Sequence, residues 1–409
     1  MSEEDANRIA PRGDLQRFPV LRGRRLIHIF TVAGSADFLR GQARFMSQQG
    51  LEVHLVAAPD GDLLSRFASG ENSTAHGLIM TRAITPLRDV VSLVHLLHLL
   101  SGLSPDVVHA GTPKGGFLGM VAAFLLGIPV RIYHIHGLRS ATMNGWSRML
   151  VSATERIACL LATRVLCVSH STRETAVNSH LCPPEKILVL RAGSCNGVDA
   201  LGRFNPALID DAERTALRAA LRIPPHAAIL GYVGRVVREK GIVELVQAWL
   251  QLEVTFPELH LVVVGTVEEG DPVPEQWMER LKNHPRVRLV AAVAHPATYY
   301  ALMDVVALPS YREGLPNVPL EAAAMGLPVV ATRVSGSVDA VIDGQTGTLV
   351  PARTVEPLAE AIARYLLSPA LRRAHGNNAR ERVLRDFEPE ALWKSVAQLY
   401  QDELERSRR

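Results

Sequence analysis

Short apolar runs alternate with segments of helical period from about residue 24 to the C-terminus. RLIHIFTVAG reads as a strand running into a loop at Gly34. Phe38, Ala43, Phe45 and Met46 follow at helical spacing, Gly50 ends that segment, and LEVHLVAAP is the next strand. SPDVVHAGT, VRIYHIHG and ATRVLCVS are further β-rich runs; between them, residues 90–103 place Leu93, Leu96, Leu97 and Leu100 at helical spacing. The pattern then restarts with HAAILGYVGRV, LHLVVVG, VRLVAAV, DVVALPS and LPVVATRV, again with helical stretches such as 242–256 between them. Strands alternating with helices predict mostly parallel sheets. Residues 24–200 and 201–385 are therefore each expected to form one doubly wound α/β domain. CNGVDALGRFNP, with its Gly, Asn and Pro, is the expected connection. Residues 1–23 are polar and Arg-rich and predict a flexible tail. Leu392, Val396, Leu399 and Tyr400 predict a last amphipathic helix within 386–409, packing back toward the first domain. Two such domains face each other across a cleft, a favoured place for a ligand.

The stretch PSYREGLPNVPLEAAAMG, residues 309–326, carries the most chemistry. It follows a buried-strand pattern. Pro316 cannot sit inside a helix, Asn317 is a good N-cap, and Gly326 with Pro328 makes a natural stop. Glu313 is thus expected in a loop and Glu321 in the first turn of a short helix, at the strand end where open α/β sheets bind ligands. GRVVREKG, residues 234–241, also lies between a strand and a helix, so Arg235 and Lys240 are expected on the same sheet edge. Two cations neutralise a diphosphate, helped by amides at a helix N-terminus. One carboxylate chelates a pair of ribose hydroxyls through charge-assisted bonds of about 1.5–3 kcal/mol, and the other holds sugar hydroxyls. Singly, each residue also fits a surface ion pair or a helix-dipole charge. Together they are what a nucleotide sugar needs.

Composition narrows the setting. The 409 residues are 47% hydrophobic with a formal net charge of +3, which does not point to nucleic acid. Residues 1–200 hold 20 Lys and Arg against 15 Asp and Glu, and the remainder 24 against 26. A basic first half suits an anionic or membrane-surface substrate. Cys159, Cys167, Cys182 and Cys195 lack CxxC spacing and read as reduced thiols of a cytoplasmic protein. The first 25 residues have no apolar core of a signal peptide. The longest uncharged runs fall short of the roughly 20 residues of a spanning helix. Neither G-x-G-x-x-G, a Walker loop, H-E-x-x-H nor G-x-S-x-G is present.

GYVGRVVREKG, YYALMDVVALPSYREGLPNVPLEAAAMGLPVVAT and DGQTGTLVP together resemble the retaining GT-B glycosyltransferases of family 4, the glycosyl transferases group 1. The resemblance runs over nearly the whole chain beyond the tail. It implies two Rossmann-like domains facing across a cleft, the first on the acceptor side and the second binding the nucleotide sugar. It implies that Arg235 and Lys240 bind the donor diphosphate, Glu321 the ribose and Glu313 the donor sugar. Backbone amides near Gly314, Leu315, Asn317 and Val318 would hold sugar and phosphate oxygens, and the loop beginning at Val290 the base. Gly34 stands where relatives bring a glycine-rich loop to the phosphate, with one glycine in place of the common pair. His136 is similar in position to a histidine that faces the donor sugar. His134 shares its side of the strand, so alternation alone leaves the two open. Lys114, at another strand end on the cleft, is a candidate to hold an acceptor phosphate, with a solvated loop lysine as the other reading. The catalytic set is then Arg235, Lys240, Glu313 and His136, with no metal and no cofactor. The leaving diphosphate itself would help deprotonate the acceptor. Similar bacterial chains extend capsule, exopolysaccharide or O-antigen repeats on a polyprenyl-diphosphate carrier, so a lipid-linked glycan acceptor at the cytoplasmic membrane face is expected, with a UDP-sugar as the expected donor. A nucleotide-sugar 2-epimerase of related fold and a non-catalytic nucleotide-sugar-binding protein are the alternatives. A sugar phosphorylase is disfavoured by the lack of a recognisable pyridoxal-lysine context.

Overall fold

Strand patterns built largely from Val, Ile and Leu become two all-parallel sheets in the computed structural model, which describes residues 18–81, 85–138, 140, 143 and 145–409. The first sheet contains β1 (Arg25–Val32), β2 (Glu52–Ala58), β3 (Thr74–Gly77), β4 (Val107–Gly111), β5 (Val130–Ile135), β6 (Arg164–Cys167) and β7 (Ile187–Leu188), in the order β3-β2-β1-β4-β5-β6-β7. The second contains β8 (Ile229–Val233), β9 (His260–Val264), β10 (Val287–Val290), β11 (Val305–Leu308), β12 (Val329–Thr332) and β13 (Gly347–Val350), in the order β10-β9-β8-β11-β12-β13. Central strands such as β4, β9, β11 and β12 are buried along their whole length, as parallel strands covered on both faces must be. Strand order reverses between β1 and β4, and between β8 and β11. Those two switch points open the crevices in which doubly wound folds bind ligands. Every candidate cation and carboxylate except Glu321, which lies one helical turn further on, sits in a segment leaving one of these four strands.

The expected elements form, with informative exceptions. β3, β7 and β13 were not expected, and all three are edge strands. β3, β7 and β13 span only two to four residues and show no extended apolar run, whereas the edge strand β10 begins the VRLVAAV run and was expected. The flexible tail is too long as predicted. Residues 1–17 lie outside the described residues, but Pro19–Leu21 forms a 3-10 turn with Phe18 and Leu21 buried against β1. Two large apolar side chains within a polar stretch were the signal. The connecting residues 195–205 form no helix or strand.

Helices Pro86–Leu103, Pro113–Leu125 and Gly145–Leu161 cover one face of the first sheet. Gln42–Gln48 and Leu63–Gly70 lie on the other, where the last helix, Pro389–Ser407, joins them. That helix follows the second domain in sequence, yet it buries Val396, Leu399, Tyr400 and Leu404 beside Leu26, Phe30 and Leu166 of the first. Glu403 also pairs with Arg164 at 3.0 Å. The end of the chain is thereby tied back onto the first domain.

Candidate donor-binding site

The loops leaving β8 and β11 are stitched together by their backbones. Gly241 has φ +72°, and a Cβ there would lie 2.0 Å from the Pro309 carbonyl oxygen, so only glycine allows the approach. The Tyr311 N–H donates to the Glu239 carbonyl at 2.8 Å. This contact brings Lys240 beside Glu313, with Nζ 2.5 Å from Oε1 and side chains only 17% and 9% exposed.

The acidic loop also meets the first domain. A Cβ on Gly314 would fall 1.8 Å from the His136 carbonyl oxygen. The Gly314 carbonyl accepts from Ser169 Oγ at 2.6 Å and from Thr172 Oγ1 at 2.9 Å. Helix Asn317–Ala324 then begins, capped by Pro316 at φ −71°, ψ 132°, with no side-chain cap. This corrects the expected cap. Pro316 takes the extended position, and the Asn317 amide oxygen instead receives the Cys195 thiol at 4.0 Å. Glu321 accordingly lies past the first turn. The uncapped helix start leaves the Asn317 and Val318 amides for an anion, while Pro319 has none to give.

Around these groups lies a cavity of about 220 Å³, lined by Phe38 and His136 from the first domain and by Gly234, Lys240, Glu313, Gly314, Leu315, Asn317 and Val318 from the second. His136 sits just past the end of β5 and stacks on Phe38, ring centres 5.1 Å apart. Burial pushes its pKa down to about 4, so it is neutral near pH 7. His134 instead turns its Nδ1 to His109 Nε2 at 3.1 Å. The structure thus separates two histidines that strand alternation leaves equivalent.

A second cavity, of about 400 Å³, adjoins the first and shares Phe38 and Asn317 with it. Glu321 lines it together with Arg203, Arg40 and Trp393. The Tyr300 hydroxyl donates to Glu321 Oε2 at 2.9 Å, while burial raises the acid's pKa. The two carboxylates occupy adjoining chambers, Glu313 paired directly with Lys240 and Glu321 in a lining that also holds Arg40 and Arg203. That layout suits gripping an elongated polyol-and-phosphate ligand better than acid–base cleavage of a bond between the two acids.

Other predicted residues stand apart. Arg235 is 43% exposed and bridges Glu239 and Glu268, each at 2.9 Å, outside both cavity linings. Gly34 is exposed in the 3-10 run Ala33–Leu39, and Val290 ends its strand, donating nothing to either lining. Lys114 is 11% exposed and paired with Asp89 at 2.6 Å, so it is not a simple solvated lysine. An Asp-x-Asp run, Asp60-Gly61-Asp62, lies in an exposed turn where Asp62 pairs with Arg66, away from both chambers. Sequence reasoning missed Phe38, Tyr300 and Arg312. Arg312 reaches Glu239 at 3.2 Å, and its position next to Glu313 was the available signal.

A cation–carboxylate pair and a neutral histidine thus meet at the cleft between the two doubly wound domains. Residues 33–193 match the family described as glycosyl transferase 4-like domain, and residues 213–382 the glycosyl transferases group 1. The chain is 32% identical to the capsular polysaccharide biosynthesis glycosyltransferase CapM of Staphylococcus aureus, over 95% of this chain and 99% of the relative. The chain belongs to the group 1 glycosyltransferases, of GT-B fold. It is also 25% identical to the UDP-Gal:alpha-D-GlcNAc-diphosphoundecaprenol alpha-1,3-galactosyltransferase of Escherichia coli, covering 79% of this chain and 82% of the relative. Among solved structures, Anabaena Alr3699/HepE in complex with UDP-glucose superposes with a TM-score of 0.78 at 20% identity, covering 92% and 99% of the two chains. WaaG, a glycosyltransferase involved in lipopolysaccharide biosynthesis, gives 0.70 at 18% with the same coverage.

Proposed function

We propose that the chain transfers a sugar, with retention, from a UDP-sugar to a hydroxyl of a polyprenyl-diphosphate-linked glycan during surface polysaccharide synthesis. The observation that carries the reading is the Lys240–Glu313 pair, set in a chamber walled by His136 and by the open amides of helix Asn317–Ala324. Lys240 and those amides take the charge of the departing diphosphate. Glu313 and His136 hold the donor sugar, and Glu321 holds the ribose. The protein's part is positioning and electrostatic stabilisation. Arg235 joins the diphosphate by exchanging its carboxylate partners for phosphate oxygens. The relatives that act in capsule synthesis and on a diphosphoundecaprenol-linked sugar support the acceptor class. The test is incubation with a panel of nucleotide sugars and a membrane extract, reading nucleotide release and product mass. UDP release with a sugar-extended lipid is expected, undiminished by EDTA. Release from no donor, or strict metal dependence, overturns the reading.

The outer side of the first domain supports a peripheral place on an anionic cytoplasmic membrane face. No described helix is long and apolar enough to cross a membrane. Helices Pro86–Leu103, Pro113–Leu125 and Gly145–Leu161 nonetheless expose Leu87, Val90, Val91, Phe124, Leu125, Trp146 and Leu160, Leu87 by 86% and Trp146 by 74%. Arg88, Arg148 and Arg156 are exposed among them. The carboxylates of these helices are engaged: Asp89 pairs with Lys114, and buried Glu155 accepts from Ser140. An apolar, net-basic face fits anionic lipid, each cation adding about 1 kcal/mol. L87E/V91E is expected to lower co-sedimentation with phosphatidylglycerol vesicles at least tenfold, a loss of about 1.4 kcal/mol or more, and to leave transfer to a water-soluble acceptor unchanged. Equal sedimentation of variant and parent removes this face from the picture.

A further inference from the structure

Behind His136 lies a file of histidines that the proposed chemistry does not use. His28 on β1 pairs in register with His109 on β4, and their ring centres are 4.9 Å apart. His109 and His134 follow at 5.2 Å, and His134 and His136 stack at 4.3 Å. At the far end, His109 Nδ1 meets the hydroxyl of Tyr400, which the last helix carries in from beyond the second domain. Burial lowers the pKa of all four imidazoles and raises that of the phenol. The file is neutral at pH 7, so each ring carries one proton.

The direction of the hydrogen bonds then follows from what each group has to give. The Tyr400 hydroxyl has no other acceptor among the described residues, so its O–H donates to His109 Nδ1. His109 therefore carries its proton on Nε2 and donates it to His134 Nδ1, 3.1 Å away. His134 in turn keeps its proton on Nε2. His28, Gln42, His134 and His136 all line one small internal cavity of about 10 Å³. Three of its polar atoms, His28 Nε2, Gln42 Nε2 and His136 Nε2, are buried without a hydrogen-bond partner among the described residues. Buried polar atoms of this kind are destabilising when unsatisfied, and a volume of about 10–15 Å³ with two to four polar partners is what one water needs.

We propose that this cavity is the site of one structural water, and that Tyr400, His109, His134 and this water form a positioning relay fixing the tautomer of His136. The Gln42 amide and the His134 Nε2–H fill the water's two lone pairs. Its two protons then go to His28 Nε2 and His136 Nε2. His136 Nε2 points inward, as the 2.6 Å approach to a Cβ built on Gly111 shows. The His136 proton therefore resides on Nδ1, the ring nitrogen left for the donor chamber. Tyr400 and Gln42 are positioning residues, not catalytic ones. Their role rests on the reading that His136 contacts the donor.

The test reads the tautomer directly. In protein labelled with 15N-histidine, with His136 assigned by the H136Q variant, the free enzyme is expected to show Nδ1–H and an unprotonated Nε2. In both Y400F and Q42M the His136 signals are expected to move toward the Nε2–H form, and kcat to fall about tenfold, the size of one lost hydrogen bond, with donor KM changed by less than about twofold. Nε2–H in the parent protein, or an unmoved tautomer in both variants, overturns the relay. Normal turnover by H136A instead overturns the donor contact, and the tautomer measurement, made without substrate, still decides the relay.

Discussion

Lys240→Ala is expected to lower turnover by about 10²–10³-fold, the loss seen when one preorganised group facing developing transition-state charge is removed. The variant also leaves Glu313, 9% exposed, as a carboxylate without its ion-pair partner. Breaking one half of a buried pair costs about 3–5 kcal/mol, so part of the loss could be blamed on the fold. The double variant K240A/E313Q, compared with E313Q alone, separates the two effects. Its carboxamide carries no charge to strand, so the unfolding midpoint should return toward that of the parent, while nucleotide release stays low. Near-normal release by either variant removes the diphosphate role from Lys240. Recovery of release together with stability would make Lys240 a structural counter-ion only.

A second large effect is expected on acidification. The pKa of His28 is pushed down to about 3 and that of His136 to about 4, and His109 and His134 are well below the ordinary value near 6.5. Above about pH 6.5 both folded and unfolded states hold these rings neutral, and stability is complete. As pH falls below that value the unfolded chain takes up protons that the folded chain refuses. Each ring then withdraws about 1.4 kcal/mol per pH unit until its folded pKa is reached. Four rings together approach about 5 kcal/mol per unit near pH 5. Paired carboxylates add losses of the same sign only at lower pH, while His54, His76, His260, His284 and His375, whose pKa burial also lowers, steepen the slope between pH 6 and 5. Denaturant unfolding between pH 6 and 5 should show at least this slope, and His28→Leu should flatten it by about one proton, which reads the file's own share. A stability independent of pH between 6 and 5 contradicts neutral burial of the file.

The two readings differ in how visible they were beforehand. Lys240 and Glu313 lie in short segments whose strand–loop–helix grammar is local, so their meeting on one sheet edge could be read from residues 231–241 and 305–326 alone. The partners that occupy Arg235 could not, because Glu239 and Glu268 reach it through side-chain packing that no periodicity encodes. The histidine file was hidden differently. IHIF, VHAG and YHIH each place a histidine inside a strand pattern. Only the order β1-β4-β5 makes them neighbours, and strand order is a tertiary fact. Tyr400 was visible as one apolar position of an amphipathic helix; its hydroxyl's destination, 291 residues away in sequence, was not. β3, β7 and β13 escaped because two to four residues are too few to show a strand pattern.

The carbonyl of Gly314 ties these features to movement. It is held by two hydroxyls of the first domain while its neighbour Glu313 faces the chamber of the second. Glu313 is therefore not a side chain on one jaw of a clamp; it is the rivet through both. Whatever pulls on its carboxylate transmits force through one peptide unit to Ser169 and Thr172. The two halves of the cleft register a ligand together, and they can part only by breaking that double hydrogen bond.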